Sequence, residues 1–190
     1  MRIGVIGLGL IGGSLCIDLK AKGHEIVAVS LHHSCCDFAM TKGMVDHAST
    51  EYTVLSGVQV LFLCTPISAI VQCLQHAIPY LLDSTIVTDV GSVKLPIVEE
   101  CSKLWPHFVG GHPMAGNSSS GVDSAVPGLF RNAHYVLTET DSTLTEDVKV
   151  LTSLIRELGA VTLLCDPIQH DKAVSYISHL PVMISATLIQ

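Results

Sequence analysis

In the stretch Gly110-Gly111-His112-Pro113-Met114-Ala115-Gly116, an imidazole is confined between glycines and a proline in an apolar setting. A histidine held this way suits a general base, because a neutral ring with a pKa of about 6.5 can take a proton near neutral pH. Taken alone, His112 is better read as a satisfied loop histidine. A second group of residues changes its meaning. At the N-terminus, Gly7-Leu8-Gly9-Leu10-Ile11-Gly12 follows an apolar strand and opens a helix, in the pattern GxGxxG. In that pattern the first glycine permits a tight turn, the second lets backbone approach a pyrophosphate, and the third lets helix pack on strand. The phosphates then rest on free helix N–H groups. A nucleotide signature followed by a constrained histidine points to redox chemistry.

The end of the second strand selects the nucleotide. An acid there would bind the adenosine ribose diol and repel a 2′-phosphate. The sequence instead reads Val29-Ser30-Leu31-His32-His33. Ser30 can donate to a phosphate, and His32 or His33 can add partial positive charge, which favours NADP over NAD. Both histidines also fit exposed surface near a turn. Cys64-Thr65-Pro66 leaves a strand where such sheets bind ligands, so Thr65 is expected at the nicotinamide end. Ser92, in Thr88-Asp89-Val90-Gly91-Ser92-Val93-Lys94, leaves the next strand similarly and can reach a substrate hydroxyl or orient a histidine. His112 follows a third strand, so three loops converge on one edge.

The elements that must position these residues alternate between strand and helix, as in a doubly wound, mostly parallel α/β sheet of Rossmann type. Strands are expected over 1–6, 25–29, 58–64, 86–89, 134–137 and 160–165, and helices over 11–22, 34–42, 67–78, 94–104 and 146–158. Phe108 and Val109 lead into a histidine loop, and 117–131 reads as an ordered loop or short helix. From Pro167 the pattern is helical, with a break near Pro181. This divides the chain into a dinucleotide-binding domain, 1–166, and the start of an all-helical domain, 167–190. The apolar pattern from Val182 to Ile189 has no C-cap signal, which suggests a longer parent chain.

Composition narrows the possible classes. Of 190 residues, 48% are hydrophobic and 14% charged, so a packed core is expected rather than disorder. The net charge of −7 argues against nucleic acid. No apolar run reaches the roughly 18–20 residues that span a bilayer, and the glycine-broken start is not a signal peptide. Seven cysteines without a CxxC read as reduced, packed thiols of a cytoplasmic protein. Adjacent His32-His33-Ser34-Cys35-Cys36 seldom converge on one ion, so no metal is expected.

The motifs GLGLIGGSL, LCTP, TDVGSVK and GGHPMAG, with Ile177-Ser178-His179-Leu180-Pro181, resemble the prephenate/arogenate dehydrogenase family over nearly the whole chain. The acid-free Val29-Ser30 end resembles the NADP-dependent arogenate dehydrogenases most. The resemblance implies oxidative decarboxylation of arogenate or prephenate in tyrosine biosynthesis. In it His112 is the base and Ser92 bonds the histidine or the substrate hydroxyl, while His179 and Gly116 lie at the substrate pocket. It also implies a homodimer formed through a helical second domain that supplies an arginine to the substrate.

Two departures qualify this reading. Leu31 stands where NADP-dependent relatives often carry arginine, leaving Ser30, His32 and His33 to hold a 2′-phosphate. The chain also ends soon after Leu180, so in the 190-residue form cofactor binding is expected to survive better than turnover. Two alternatives stay open. One is another NADP-dependent reductase of β-hydroxyacid dehydrogenase type, with Lys172 as proton donor; the other is a non-catalytic nucleotide-binding fragment.

Overall fold

Alternation along the first strand sorts the interior into two layers. In β1 (Arg2–Ile6), Ile3 and Val5 pack into one buried cluster while Ile6 packs into another. The same period of two recurs in β2 (Glu25–Val29), with Ile26 and Ala28 on one face and Val27 and Val29 on the other. It recurs again in β4 (Val60–Leu63), where Val60 and Phe62 oppose Leu61 and Leu63. Strands apolar on both faces must lie inside a sheet covered on both sides. The first layer is filled by Leu15 and Leu19 of α1 (Leu10–Ala21), Ala39 of α2 (His33–Thr41), and Leu151, Leu154 and Ile155 of α5 (Thr145–Glu157). The second takes Ile70 and Leu74 of α3 (Ile67–Ala77) and Ile97, Val98 and Cys101 of α4 (Leu95–Leu104).

The computed structural model describes residues 1–179 and Thr187, with Ser178 and His179 by backbone alone. The expected break near Pro181 and the apolar stretch beyond it lie outside the described residues. The remaining elements are β3 (His47–Ser49), β5 (Ile86–Asp89), β6 (Phe108–Pro113), β7 (His134–Thr138), β8 (Val161–Cys165) and α6 (Pro167–Val174). Eight strands form one sheet in the order β3-β2-β1-β4-β5-β6-β7-β8, parallel throughout except between β6 and β7. The chain order reverses between β1 and β4, and ligands bind in such sheets at that switch point, outside the carboxyl ends. No helix among the described residues is long and apolar enough to cross a membrane.

One local expectation is corrected and one strand was not foreseen. The histidine motif is a strand rather than a loop: Gly110, Gly111, His112 and Pro113 pair with Thr138, Leu137, Val136 and Tyr135. Its glycines disguise it, since glycine and proline are depleted in strands. Here they serve close packing, because a Cβ on Gly111 would lie 2.5 Å from the Asp89 carbonyl oxygen. The short β3 had no apolar alternation to reveal it; it pairs with β2 through His47, Ala48 and Ser49. Within 117–131 only Val122–Ser124 is helical, as a single tight turn. Ser14 and Asp18 of α1 hold the rest of that segment by accepting the backbone N–H groups of Val126 and Gly128.

Candidate active site

The glycine turn is built as the spacing requires. Gly7 has φ +102°, and its N–H donates to the Val29 carbonyl at 2.8 Å, tying the turn to the end of β2. A Cβ there would lie 2.5 Å from the Cys64 carbonyl oxygen, so the turn sits directly against the end of β4. A Cβ on Gly12 would run into the Gly7 carbonyl. Around Gly9 nothing lies within 4 Å of such an atom. The approach to the first N–H groups of α1 is therefore open, and no side chain caps them. Leu8 and Leu10 are buried, so this turn has backbone rather than side chains to offer a phosphate.

The other expected nucleotide contacts follow the carboxyl ends of β2 and β4, which flank β1. Ser30 ends β2, nearly buried, its N–H donating to the Ser49 carbonyl. Leu31, His32 and His33 are exposed beyond it, and His32 starts α2 without capping it. Thr65 follows β4, and its buried Oγ1 has no hydrogen-bond partner among the described residues, which leaves a polar atom for a ligand to satisfy. Pro66 is exposed at the start of α3. Burial pushes the Cys64 thiol well above its ordinary range and those of Cys16 and Cys101 up to about 12. These thiols stay protonated and act as packing groups.

Strand register brings the histidine to this edge. Ile6 pairs with Leu63 and Leu63 with Asp89, so β1, β4 and β5 end level. β6 runs beside β5 through Val87–Phe108 and Thr88–Val109, which carries His112 just past that edge. A buried ion pair fixes the junction. The Lys94 ammonium meets Asp89, and both side chains are fully buried. Asp89 also accepts the N–H groups of Gly91 at 2.8 Å and Gly111 at 3.0 Å, and Lys94 donates to the Gly111 carbonyl at 2.7 Å. Burial pulls the lysine below its usual range, and Asp89 opposes that shift.

His112 is buried, and its Nδ1 lies 2.9 Å from Nε2 of His170 on α6, the rings edge to face. His170 Nδ1 in turn lies 2.7 Å from Asp171 Oδ1. The Asp171 carboxylate also accepts the N–H groups of Lys94 at 2.7 Å and Leu95 at 3.0 Å, capping α4 from a distant part of the chain. Although burial raises its pKa, those amide donors and His170 outweigh it and hold the carboxyl below its ordinary range.

Ser92 is exposed on the loop between β5 and α4. The partner at His112 Nδ1 is thus His170, which the sequence reading had not singled out. Gly116 is exposed beyond β6 with φ +156°. The backbone of His179 ends a π-helical turn, Ser175–His179, while its side chain lies outside the described residues. Lys172, the alternative proton donor, is exposed on α6. No group of three or more potential metal ligands occurs among the described residues.

Asp89 and Lys94 did carry a signal. An acid ending a strand buried on both faces requires a partner, and the loop after it supplies one charge of the right sign. His170 and Asp171 carried none, because neighbours in a helix point in different directions and nothing local ties either to residue 112.

The strand order, the switch-point cleft and the glycine turn define a Rossmann-type domain that binds NAD(P). The family model for the prephenate dehydrogenase nucleotide-binding domain matches residues 15–164. The chain belongs to the prephenate/arogenate dehydrogenase family. It is 34% identical over 197 residues to the prephenate dehydrogenase of Lactococcus lactis, covering 99% of this chain and 53% of that one. It therefore spans about half the length of that relative. It is 49% identical to the solved Synechocystis arogenate dehydrogenase, with a TM-score of 0.96, covering 100% of this chain and 68% of that one. The prephenate dehydrogenase of Aquifex aeolicus, solved with hydroxyphenyl propionate and NAD+, is 27% identical with a TM-score of 0.94, again over 100% and 68%.

Proposed function

We propose that this chain carries the cofactor half of an NADP-dependent dehydrogenase that oxidatively decarboxylates arogenate or prephenate, with His112 as the base. The observation that supports this most is His112 just past the level carboxyl ends of β1, β4 and β5, on the same sheet edge as the open glycine turn. Residues 1–166 form the nucleotide domain. From Pro167, α6 begins a helical domain through which two copies pair and which completes the substrate site.

His112 accepts the proton of the ring hydroxyl and so raises the hydride-donating power of that carbon. A nicotinamide bound in front of this edge would supply the hydride acceptor. The ring carboxylate then leaves as carbon dioxide, and its bonding pair enters the ring to make it aromatic. The phenolate oxygen recovers the proton from the His112 imidazolium. Ser92, His179 and Gly116 hold the substrate. Gly7, Gly9 and Gly12, with the backbone of Leu8, Leu10 and Ile11, would hold the pyrophosphate, and Cys64, Thr65 and Pro66 would border the nicotinamide. The Aquifex relative bears on the substrate, since its partner in the crystal is a phenol with a carboxylate side chain.

Spectrophotometric assay with both substrates and both nucleotides tests the reading, using this chain and a version extended by a helical domain. Reduced nicotinamide should form in the extended version, faster with NADP. The absence of turnover with either substrate in that version would reject the reading. The nucleotide preference rests on Ser30, His32 and His33. Ser30→Asp, which places a carboxylate against the 2′-phosphate, should weaken NADP relative to NAD by tenfold or more, on the order of 1.4 kcal/mol. An unchanged ratio by titration would remove the argument.

A further inference from the structure

His112 is one end of a chain of three side chains whose direction is set by its far end. Asp171 is ionised and already accepts two backbone N–H groups, so it can only accept from His170 Nδ1. A neutral His170 that donates through Nδ1 has a lone pair on Nε2. That atom lies 2.9 Å from His112 Nδ1, which must therefore carry the hydrogen. The basic lone pair of His112 is then on Nε2.

We infer that His170 and Asp171 are positioning residues that hold His112 in its Nδ1–H tautomer, presenting Nε2 as the proton acceptor. This rests on the proposed role of His112 as base. The two residues would also stabilise the imidazolium formed during reaction, because the carboxylate lies one ring away. The arrangement is tied down at both ends: Asp171 caps α4 immediately after Lys94, and Lys94 binds the carbonyl of Gly111 next to the base. Shifting Asp171 would disturb both the ring chain and the loop that carries Ser92.

The tautomer can be read without turnover, by NMR of the 190-residue chain labelled in histidine nitrogen, with the His112 signals assigned from their loss in His112→Asn. The expected result is an Nδ1–H ring with unprotonated Nε2. In Asp171→Asn the amide can donate to His170 Nδ1, reversing the chain and moving the hydrogen of His112 to Nε2. In the extended, active version, kcat should fall about 100-fold with KM within about twofold. His170→Leu, which removes the acceptor, should cost a similar factor. His170→Gln, whose carbonyl can accept from His112, should recover about tenfold of that loss. His170 makes none of the capping bonds to α4, so this pair decides the matter if Asp171→Asn fails to fold. An Nε2–H ring in the parent chain, or an unchanged tautomer and kcat in His170→Leu, would overturn the inference. Normal turnover in His112→Asn would instead overturn the base, and the positioning role with it, whatever the tautomer.

Discussion

His112→Asn is expected to lower turnover by about three orders of magnitude, within the range of about 10²–10⁴ typical of a lost general base. Nucleotide affinity should change less than about twofold. Asparagine has a side-chain N–H that can still donate to His170, but it has no group that titrates near neutral pH. The strand itself should not move, because Gly111 is pinned to Asp89 and Lys94 on one side and paired with Leu137 on the other. The nucleotide turn joins β1 to the start of α1 and is built against β2 and β4, without β6. Steady-state formation of reduced nicotinamide, with a separate binding titration, checks both halves. Turnover within tenfold of the parent would remove His112 from the chemistry. A parallel loss of nucleotide affinity would show that the substitution had damaged the fold.

The largest effect on stability is expected from Lys94→Met. Methionine fills much of the space but leaves the fully buried Asp89 carboxylate with two amide donors and no countercharge. Removing one member of a buried pair costs about 3–5 kcal/mol, because the remaining charge stays desolvated. Adding Asp89→Asn should recover at least half of that cost, since asparagine is neutral and keeps an acceptor for Gly111 or Gly91. Urea denaturation of the parent, the single variant and the double variant forms the required cycle. A single-variant loss below about 1 kcal/mol would show that Lys94 is not needed where it sits. A double variant no better than the single would assign the loss to packing and the Gly111 carbonyl bond instead of charge.

The sequence revealed what repeats or what has one local meaning. The apolar runs 1–6 and 58–64, alternating with helical patterns, announced the sheet, and Gly7, Gly9 and Gly12 announced the turn, because each obeys a rule contained within a few residues. The histidine motif was found for its composition but assigned the wrong conformation. Gly110 and Gly111 read as loop residues, yet Gly111 is needed where backbone passes close to Asp89 and Thr88, and Gly110 where it passes Thr138 and Val98. The partner of His112 was out of reach, since His170 lies 58 residues on, and its meaning depends on α6 folding back over the start of α4. Local patterns specify elements, whereas contacts between distant elements specify how a side chain is oriented.

The placement of His112 inside β6 bears on where this chain can change in length. Side chains alternate along a strand, so one residue inserted between 108 and 112 would turn the imidazole to the opposite face, into the layer of Tyr135 and Leu137. A loop histidine could drift with such an insertion; a strand histidine loses its partner at the first step. Insertions and deletions in related chains should therefore collect between Gly116 and Gly121, where the backbone is exposed and carries no strand register, and stop short of Pro113.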